Sequence, residues 1–397
     1  MKLSVIIVSY NVRYYLEQCL LAVEKATVGL DAEVIVFDNH SRDDSVAYLS
    51  SRFPKVSFIS GSHNIGFAKA NNRAIHQSTG EYVLLLNPDT VVGEHSLLGA
   101  VTFMDSHPDA GAVGVRMLKD DGGDAMESRR GIPTPLTAFY KMSGLCARFP
   151  RNRRLGKYYM GYLPWDQPVP IDIVSGAFCL LRRKALDEVG LLDEDFFMYG
   201  EDIDLSYRLL KGGWENWYLP HRILHYKGES TKKSSFRYVH VFYGAMLIFC
   251  YKHYKGVYRG LLPLLRIAVN GMAWMALCSV ALKKAKKSMG LVNKSNADAY
   301  FIFQVRPEHI KQCQRLASEK GLWAEFHDAN AQSLGNKKEW DKKQKVYMVF
   351  DATVFFYAEM FTAMHDHFSG KVLMAVYYPQ ENMIITDKEI IRGKGLD

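Results

Sequence analysis

Short apolar runs alternate with amphipathic stretches from residue 2 to about residue 118 of the chain. The runs have the length and composition of buried strands, and helices of about a dozen residues fit between them. This alternation predicts an α/β domain with a largely parallel sheet. The predicted strands are residues 3–9, 33–38, 55–60, 81–87 and 110–117.

A polar cluster follows each of the first four predicted strands. In open α/β sheets, ligands bind outside the carboxyl ends of the strands, so we expect these clusters to converge on one crevice. No GxGxxG motif opens the helix after the first strand, which argues against a dinucleotide-binding dehydrogenase. The clusters are Ser9-Tyr10-Asn11, Asp38-Asn39-His40-Ser41, Gly61-Ser62-His63-Asn64 and Asn87-Pro88-Asp89.

The middle of the chain has a different pattern. Residues 119–170 are rich in Gly, Pro, Arg and Tyr and show little periodicity, which predicts a long excursion over the active site. We expect ordered structure again at residues 171–183, in a helix that begins near Glu201, and in a closing strand or pair of strands at residues 217–226.

Two further stretches suggest contact with a membrane. Residues 236–255 have the pattern of an amphipathic helix, and residues 261–282 are mostly apolar. Pro263 and Arg266 weaken the case for a spanning helix. An interfacial helix on an anionic membrane surface, flanked by the basic run 283–287, suits the composition better. A buried core helix and a spanning helix remain open as alternatives.

A chain of 397 residues exceeds the usual size of one hydrophobic core. Residues 299–378 have the pattern of a second, small α/β unit. We therefore predict a catalytic domain at residues 1–235, membrane-associated helices at 236–290 and an accessory α/β domain at 299–397.

The distribution of charge and the spacing of the cysteines indicate the kind of partner and the cellular compartment. Lys and Arg number 50 against 42 Asp and Glu, and much of the excess lies at residues 129–160 and after residue 227. This distribution favours an anionic partner, either a phosphate-bearing ligand or an anionic membrane surface, and no nucleic-acid partner is expected. The six cysteines form no CxxC pair, which is typical of reduced thiols in the cytosol.

Carboxylates after buried strands are the first candidates for chemistry. Asp38 could accept hydrogen bonds from a ribose or a base edge, although it could equally cap the next helix. Asn87 and Asp89 follow the apolar run 82–86. A carboxylate there could hold a hard divalent ion against a diphosphate, while a simple Pro-Asp turn is the alternative.

The segment FFMYGEDIDL at residues 196–205 is the richest in candidate residues. Transfer of a group to a hydroxyl needs a carboxylate that takes the proton, and Asp202 is the best candidate for this general base. Glu201 and Asp204 would orient the acceptor or hold basic neighbours. Helix capping is the alternative explanation for the three acids. His225 could be a metal ligand or a structural histidine, and the nearby Lys227, Lys232 and Lys233 favour a phosphate.

Taken together, these segments resemble the family 2 glycosyltransferases, in particular a rhamnosyltransferase-like branch of bacterial polysaccharide assembly. The resemblance runs from Leu3 to about Lys233, with its motifs in the order of the family. It implies a GT-A fold, which is α/β with a mostly parallel sheet. The motifs are VIIVSYN (5–11), VFDNHSRDDS (36–45), NIGFAKANNRAI (64–75), LLLNPDT (84–90), residues 174–214 from VSGAF to LKGGW, and LHYKGEST (224–231).

The resemblance also implies roles for individual residues. Asp202 would be the catalytic base with Glu201 beside it, Asp89 and His225 would contact a divalent cation, Mn²⁺ or Mg²⁺, and Asp204 and Tyr199 would face the acceptor. Asn87 stands where the family has the first acid of its metal motif. A packed helix start explains Gly66, Asn71 and Asn72 equally well. The residues implied to bind the donor are Ser9, Asn11, Asp38, Gly66, Asn71, Asn72 and Asn87.

The resemblance thus implies an inverting transfer of a sugar from a nucleotide-diphosphate donor, dTDP-rhamnose as the first candidate, to a lipid-linked or growing glycan. The expected location is the cytoplasmic face of the inner membrane, with peripheral or monotopic attachment. A catalytically silent module that binds nucleotide sugars and recruits partners at the membrane is the alternative. A change of Asp202 would leave the function of such a module intact.

Overall fold

The computed structural model describes residues 1–226, 236–254, 299–329, 345–367, 370 and 372–393, with scattered positions between 267 and 282. The strands of the first sheet are β1 (Leu3–Ser9), β2 (Ala32–Asp38), β3 (Val56–Ser60), β4 (Tyr82–Leu86), β5 (Thr90–Val92), β6 (Ala110–Leu118), β7 (Val169–Pro170), β8 (Phe178–Arg182) and β9 (Glu215–His225). The helices around it are α1 (Arg13–Ala26), α2 (Ser45–Ser50), α3 (Phe67–Gln77), α4 (Ser96–Ser106), α5 (Pro135–Met142), α6 (Leu145–Arg148), α7 (Arg183–Val189), α8 (Glu201–Lys211) and α9 (Phe236–His253).

The first sheet is mixed and mostly parallel. Its strand order is β3-β2-β1-β4-β8-β6-β9-β5, with β7 paired to β9. β1, β2, β3, β4, β6 and β9 run in one direction, and β5, β7 and β8 run in the other. The fully buried strands β1, β4 and β6 are mostly apolar, as is typical of strands covered on both faces. The predicted α/β architecture is confirmed.

The excursion at residues 119–170 contains more regular structure than its sequence predicted. It holds a single 3₁₀ turn at Met126–Ser128 and the helices α5 and α6. Thr134 caps α5 by accepting a hydrogen bond from the Thr137 N–H, and Pro135 occupies the first turn, where no backbone donor is needed. Only Phe178–Arg182 of the segment 171–183 is a strand. Of the segment 217–226, all but the last residue belongs to one long strand, β9.

A second sheet follows the pattern expected for residues 299–378. Its order is β11-β10-β12-β13-β14-β15, parallel from β11 to β13 and completed by a hairpin that the sequence did not predict. The strands are β10 (Tyr300–Val305), β11 (Trp323–Asp328), β12 (Val346–Asp351), β13 (Val372–Tyr378), β14 (Met383–Ile385) and β15 (Ile390–Arg392), and the helices are α10 (Pro307–Lys320) and α11 (Tyr357–His367).

The two sheets share one hydrophobic core. Residues of β12 and β13 pack in the same buried cluster as residues of β1 and α1. Hydrogen bonds cross between them as well, from the Tyr15 hydroxyl to the Thr386 carbonyl (3.0 Å) and from the Tyr357 N–H to the Glu94 carboxylate (2.7 Å). The division of the chain at residues 235 and 299 stays a prediction.

The membrane-associated region predicted at residues 236–290 is described only in part. α9 confirms the helix expected from residue 236, but one face of it packs on protein: Ala245 and Phe249 are buried against Phe196. Most of the apolar stretch at 261–282 and the basic run at 283–287 lie outside the described residues. Within the described part of the chain, no helix has both the length and the apolar character needed to cross a membrane.

Candidate active site

The carboxyl ends of β1 and β2 form one wall of a crevice. Ser9 pairs with Asp38 in parallel register, and the Asn39 N–H donates to the Ser9 carbonyl at 2.8 Å. Both side chains are buried, yet Ser9 Oγ and Asp38 Oδ1 have no hydrogen-bond partner among the described residues. A buried polar atom without a partner is costly, which fits a site completed by a polar ligand. Asp38 does not cap the next helix, because α2 begins only at Ser45.

Asn11 shapes the loop beside this wall. Its backbone adopts a left-handed conformation with φ 55°, and its side-chain Oδ1 accepts a hydrogen bond from the Arg42 N–H at 2.7 Å. The Asn11 N–H in turn donates to Ser41 Oγ at 2.9 Å. Asn11 therefore fixes the loop that follows Asp38.

Asn39 connects this loop to the next one and was missed by the sequence analysis, although it stands in the cluster that contains Asp38. Its side chain donates to the Gly66 carbonyl at 3.2 Å and accepts from the Ile65 N–H at 2.9 Å. Gly66 has φ +88°, and a Cβ atom there would lie 2.6 Å from the Phe197 carbonyl oxygen. Glycine is therefore required where the two loops meet.

Asn71 and Asn72 are explained by packing, the alternative that the sequence left open. Both are buried in α3, and Asn71 Nδ2 donates to the Phe67 carbonyl one turn earlier. Asn72 donates to the Leu192 carbonyl at 2.8 Å and accepts from the Leu192 N–H at 3.1 Å. Asn72 thus holds the loop that leads to residues 196–202.

The two candidate metal ligands lie together. β5 and β9 pair antiparallel with Thr90 opposite His225, which brings His225 Nε2 within 3.3 Å of Asp89 Oδ1 and 3.3 Å of Asn87 Nδ2. Asp89 is 2% exposed. Among the described residues, no group of three or more His, Cys, Asp and Glu side chains could hold a metal ion. One carboxylate and one imidazole fit an ion that takes its remaining ligands from a diphosphate and water.

A three-residue turn connects Asn87, which lies beside the candidate metal ligands, with the candidate base Asp202. The Asn87 N–H donates to the Ala177 carbonyl at 3.0 Å, and the Gly176 N–H donates to Asp202 Oδ2 at 3.1 Å. The turn at residues 175–177 therefore brings the end of β4 and the start of α8 to the same edge of the sheet.

Asp202 is held by an arginine that the sequence analysis missed. Arg130 donates to Asp202 Oδ2, and the Ile203 N–H donates to Asp202 Oδ1 at 2.8 Å. Burial lowers the pKa of the Arg130 guanidinium, but the Asp202 charge, the hydrogen bond to Asp202 and the nearby Tyr158 and Glu201 together outweigh this effect, so the pKa is raised. The only sequence signal for Arg130 is its place in a basic stretch without acids. The predicted excursion therefore does reach the candidate base.

Glu201 lies next to Asp202 but in a different environment. Its carboxyl is buried, and burial together with the neighbouring Asp202 charge raises its pKa to about 8. Glu201 is therefore protonated at neutral pH and cannot serve as the base there. Two adjacent carboxyls in such different surroundings are suited to different roles, and Asp202 remains the predicted base.

The raised pKa of Glu201 predicts a pH-dependent effect of Glu201→Gln on stability. In the unfolded chain the carboxyl ionises near its ordinary pKa of 4.5, whereas in the folded protein it ionises only at about 8. Folding takes up a proton between these values, so the wild-type free energy of unfolding falls as pH rises through this window and levels off above it. As the pH is raised from about 5 to about 9, we expect the free energy of unfolding of the variant to rise relative to that of the wild type by on the order of a few kcal/mol. Urea unfolding measures this difference, and an equal gap at both pH values would contradict the raised pKa.

Asp204 holds basic neighbours, which is one of the two roles considered from the sequence, and its contact with an acceptor stays a prediction. It is 1% exposed, and its oxygens pair with Arg208 Nε at 2.7 Å and His253 Nε2 at 2.6 Å. Both oxygens are engaged, so Asp204 ties α9 to α8. Lys227, Lys232 and Lys233 lie outside the described residues.

A cavity of about 280 Å³ opens beside Asp202. Tyr199, with φ 67°, and Gly200 form its wall on the side of the loop that leads into α8. The remaining wall is mostly apolar and comes from α5 and α9, with Met142 and Phe249 among its residues. The cavity offers room for an acceptor next to the candidate base.

The sequence of the chain is similar to the sequences of known glycosyltransferases. Residues 4–190 match the model of the family described as Glycosyl transferase family 2. The chain is 31% identical over 271 residues to the N-acetylglucosaminyl-diphospho-decaprenol L-rhamnosyltransferase of Mycobacterium tuberculosis, an alignment that covers 65% of this chain and 86% of that protein. It is 26% identical over 260 residues to the rhamnosyltransferase WbbL of Escherichia coli K12, which covers 59% of this chain and 91% of WbbL.

Solved structures are also similar, at low identity. The mannosyltransferase PcManGT of Pyrobaculum calidifontis, in complex with GDP-Man and Mn²⁺, gives a TM-score of 0.43 at 17% identity and covers 74% of this chain and 81% of its own. TarS 1–349 of S. aureus gives 0.43 at 19% identity, with coverages of 63% and 64%. The identity to the mycobacterial relative over most of its length, the match at residues 4–190 and the mixed, mostly parallel sheet agree with one another. The chain belongs to glycosyl transferase family 2 and is a glycosyltransferase with a GT-A-like α/β fold.

Proposed function

We propose that this glycosyltransferase moves rhamnose from dTDP-rhamnose to a hydroxyl of a lipid-linked glycan, with inversion at the anomeric carbon, at the cytoplasmic face of the inner membrane. The observation that carries the proposal is the turn at residues 175–177, which joins Asn87 and Asp202 through hydrogen bonds of 3.0 and 3.1 Å. A group that takes a proton and groups that hold a diphosphate must meet at one reacting centre, and this turn supports such a meeting.

The donor would occupy the crevice at the ends of β1, β2 and β4. The buried Ser9 Oγ and Asp38 Oδ1 are available to the nucleoside. Asp89 and His225, with Asn87 beside them, would hold a divalent cation, Mn²⁺ or Mg²⁺. A bound cation supplies stabilisation of the negative charge that grows on a departing nucleoside diphosphate.

Asp202 would take the proton from the acceptor hydroxyl as the hydroxyl oxygen forms its bond to the anomeric carbon. The bond from that carbon to the diphosphate oxygen breaks, and its electron pair leaves with the nucleoside diphosphate. Arg130 would act as a positioning residue, because its contact with Asp202 Oδ2 fixes the orientation of the carboxylate. Tyr199 would contact the acceptor from the wall of the cavity.

The relatives support the choice of substrates. The mycobacterial protein is named an L-rhamnosyltransferase that acts on N-acetylglucosaminyl-diphospho-decaprenol, and WbbL is named a rhamnosyltransferase. The apolar wall of the cavity beside Asp202 is compatible with an acceptor that carries a hydrocarbon chain.

The proposal is tested by incubating the purified chain and Mn²⁺ with dTDP-rhamnose, UDP-GlcNAc or GDP-mannose and a short-chain N-acetylglucosaminyl-diphospho-prenol. We expect release of dTDP and a rhamnosylated acceptor whose anomeric configuration by NMR is opposite to that of the donor. Turnover only with another donor would contradict the assignment of rhamnose. A product with retained configuration would contradict the role of Asp202 as a base that activates the acceptor.

A further inference from the structure

Four large apolar side chains stand exposed within a short stretch of the excursion. Leu136, Phe139 and Met142 follow one another at intervals of three on α5 and are 58%, 56% and 51% exposed. Phe149, directly after α6, is 45% exposed. Single exposed apolar residues are ordinary, but a contiguous group of them marks a surface that binds another apolar surface.

The same stretch is strongly basic. Residues 128–165 contain no Asp or Glu, and their eight basic residues are Arg129, Arg130, Lys141, Arg148, Arg151, Arg153, Arg154 and Lys157. Five of these, from Arg148 to Lys157, surround Phe149 in the chain and are exposed. No ion pair joins any of these five to another described residue. Positive charge next to exposed apolar side chains is the combination that binds anionic lipid surfaces.

The exposed face belongs to the helix that also walls the cavity beside Asp202. Ala138 and Lys141 of α5 line that cavity, and the Lys141 ammonium donates to the Tyr158 hydroxyl at 2.8 Å. α5 therefore has the cavity with the candidate base on one side and the exposed Leu136 and Phe139 on the other, while Met142 is exposed and also lines the cavity.

We propose that α5 and the basic stretch from Arg148 to Lys157 dock on an anionic lipid bilayer and so bring the cavity beside Asp202 to the bilayer surface. This inference rests on the proposed function in one respect, the lipid-linked acceptor. Withdrawing a hydrocarbon chain from a bilayer is unfavourable for every methylene exposed to water, so the enzyme has to work at the surface where the lipid stays. The proposed docking surface lies in a different part of the sequence from the stretch at residues 261–287 that the sequence suggested for this role.

A fluorescent probe on α5 tests the docking. Cys278 is the exposed cysteine among the described residues, so an environment-sensitive dye is attached to Phe139→Cys in a Cys278→Ser background of the full chain. Vesicles contain phosphatidylcholine alone or with about one-third phosphatidylglycerol. With anionic vesicles we expect a blue shift and about tenfold protection from iodide quenching, and much less with neutral ones. The matched control is Leu98→Cys on α4, which is 47% exposed and outside the basic stretch.

The possible outcomes are distinct. Equal quenching of the probes at residues 139 and 98 would overturn the proposal, even if the protein binds vesicles through another segment. A probe at residue 139 that is already protected without vesicles would show that this chain covers the face itself, which also overturns it. Replacing Arg151, Arg153 and Arg154 by Ser should remove most of the protection. Rhamnosylation of a water-soluble acceptor analogue should be unchanged in this variant, so a failure of docking and a failure of the proposed function are distinguishable.

Discussion

Replacing Asp202 by Asn is expected to lower kcat by about 10²- to 10⁴-fold while the KM for the donor changes only a few-fold. The amide keeps the size of the side chain but cannot take the proton of the acceptor hydroxyl. Glu201 does not replace it, because its raised pKa of about 8 keeps it protonated near neutral pH. Initial rates with saturating donor and acceptor measure the effect.

The Asn variant also loses the charge that faces Arg130, so its folding has to be checked. Nucleotide-dependent thermal stabilisation should persist, because the donor residues are unchanged. Asp187→Asn on α7 is a matched control at an exposed aspartate and should keep full activity. An Asp202→Asn protein that binds nucleotide and retains more than about a tenth of the wild-type kcat would exclude Asp202 as the base.

Replacing Asp89 by Asn is expected to abolish the binding of nucleotide that depends on a divalent cation. A ligand at about 100 times its dissociation constant stabilises the folded state by roughly 2.7 kcal/mol, which is a shift of a few degrees in Tm. We expect dTDP with Mn²⁺ to produce this shift in the wild type and in Asp109→Asn, an exposed control, but not in Asp89→Asn or His225→Ala. The activity of the Asp89 variant should fall about 10²- to 10³-fold.

This test needs no acceptor, because it measures the binding of dTDP with and without Mn²⁺. Asp89 is almost fully buried, so a lower Tm of the variant without ligand is expected and does not count as evidence for metal binding. His225→Ala tests the same site from the opposing strand, where the side chain is more accessible. A nucleotide shift that needs Mn²⁺ and survives in both variants would show that the cation binds elsewhere.

The local pattern of apolar and polar residues explains where the strands lie and which residues stand at most of the strand ends. The apolar runs of β1 and β4 determine where the strands lie, and polar residues after a buried parallel strand must emerge at its carboxyl end. The location of Ser9, Asp38 and Asp89 at the carboxyl edge of the sheet could therefore be predicted from the sequence alone. The parallel strands of the second sheet, at residues 300–378, show the same kind of apolar pattern and were predicted for the same reason, whereas the hairpin at residues 383–392 was not predicted.

Other features depend on contacts between residues far apart in the chain. Arg130 pairs with Asp202, and His225 reaches Asp89 only because β5 and β9 lie next to each other. The structure also supplies partners that the sequence could not identify, such as the Leu192 backbone for Asn72 and Arg208 for Asp204. The hydrophobic periodicity of the sequence does not predict these pairings, because they follow from strand order and helix packing.

The sequence by itself determined the family, the α/β pattern and the carboxyl-edge clusters, because each of these depends on the order and spacing of nearby residues. Only the tertiary structure decided the environment of each acid. Glu201 and Asp202 are neighbours in the chain, yet one is buried with a raised pKa and the other pairs with Arg130. Burial and partner charge are properties of the packed molecule, and these two properties support the proposal that Asp202 rather than Glu201 takes the proton.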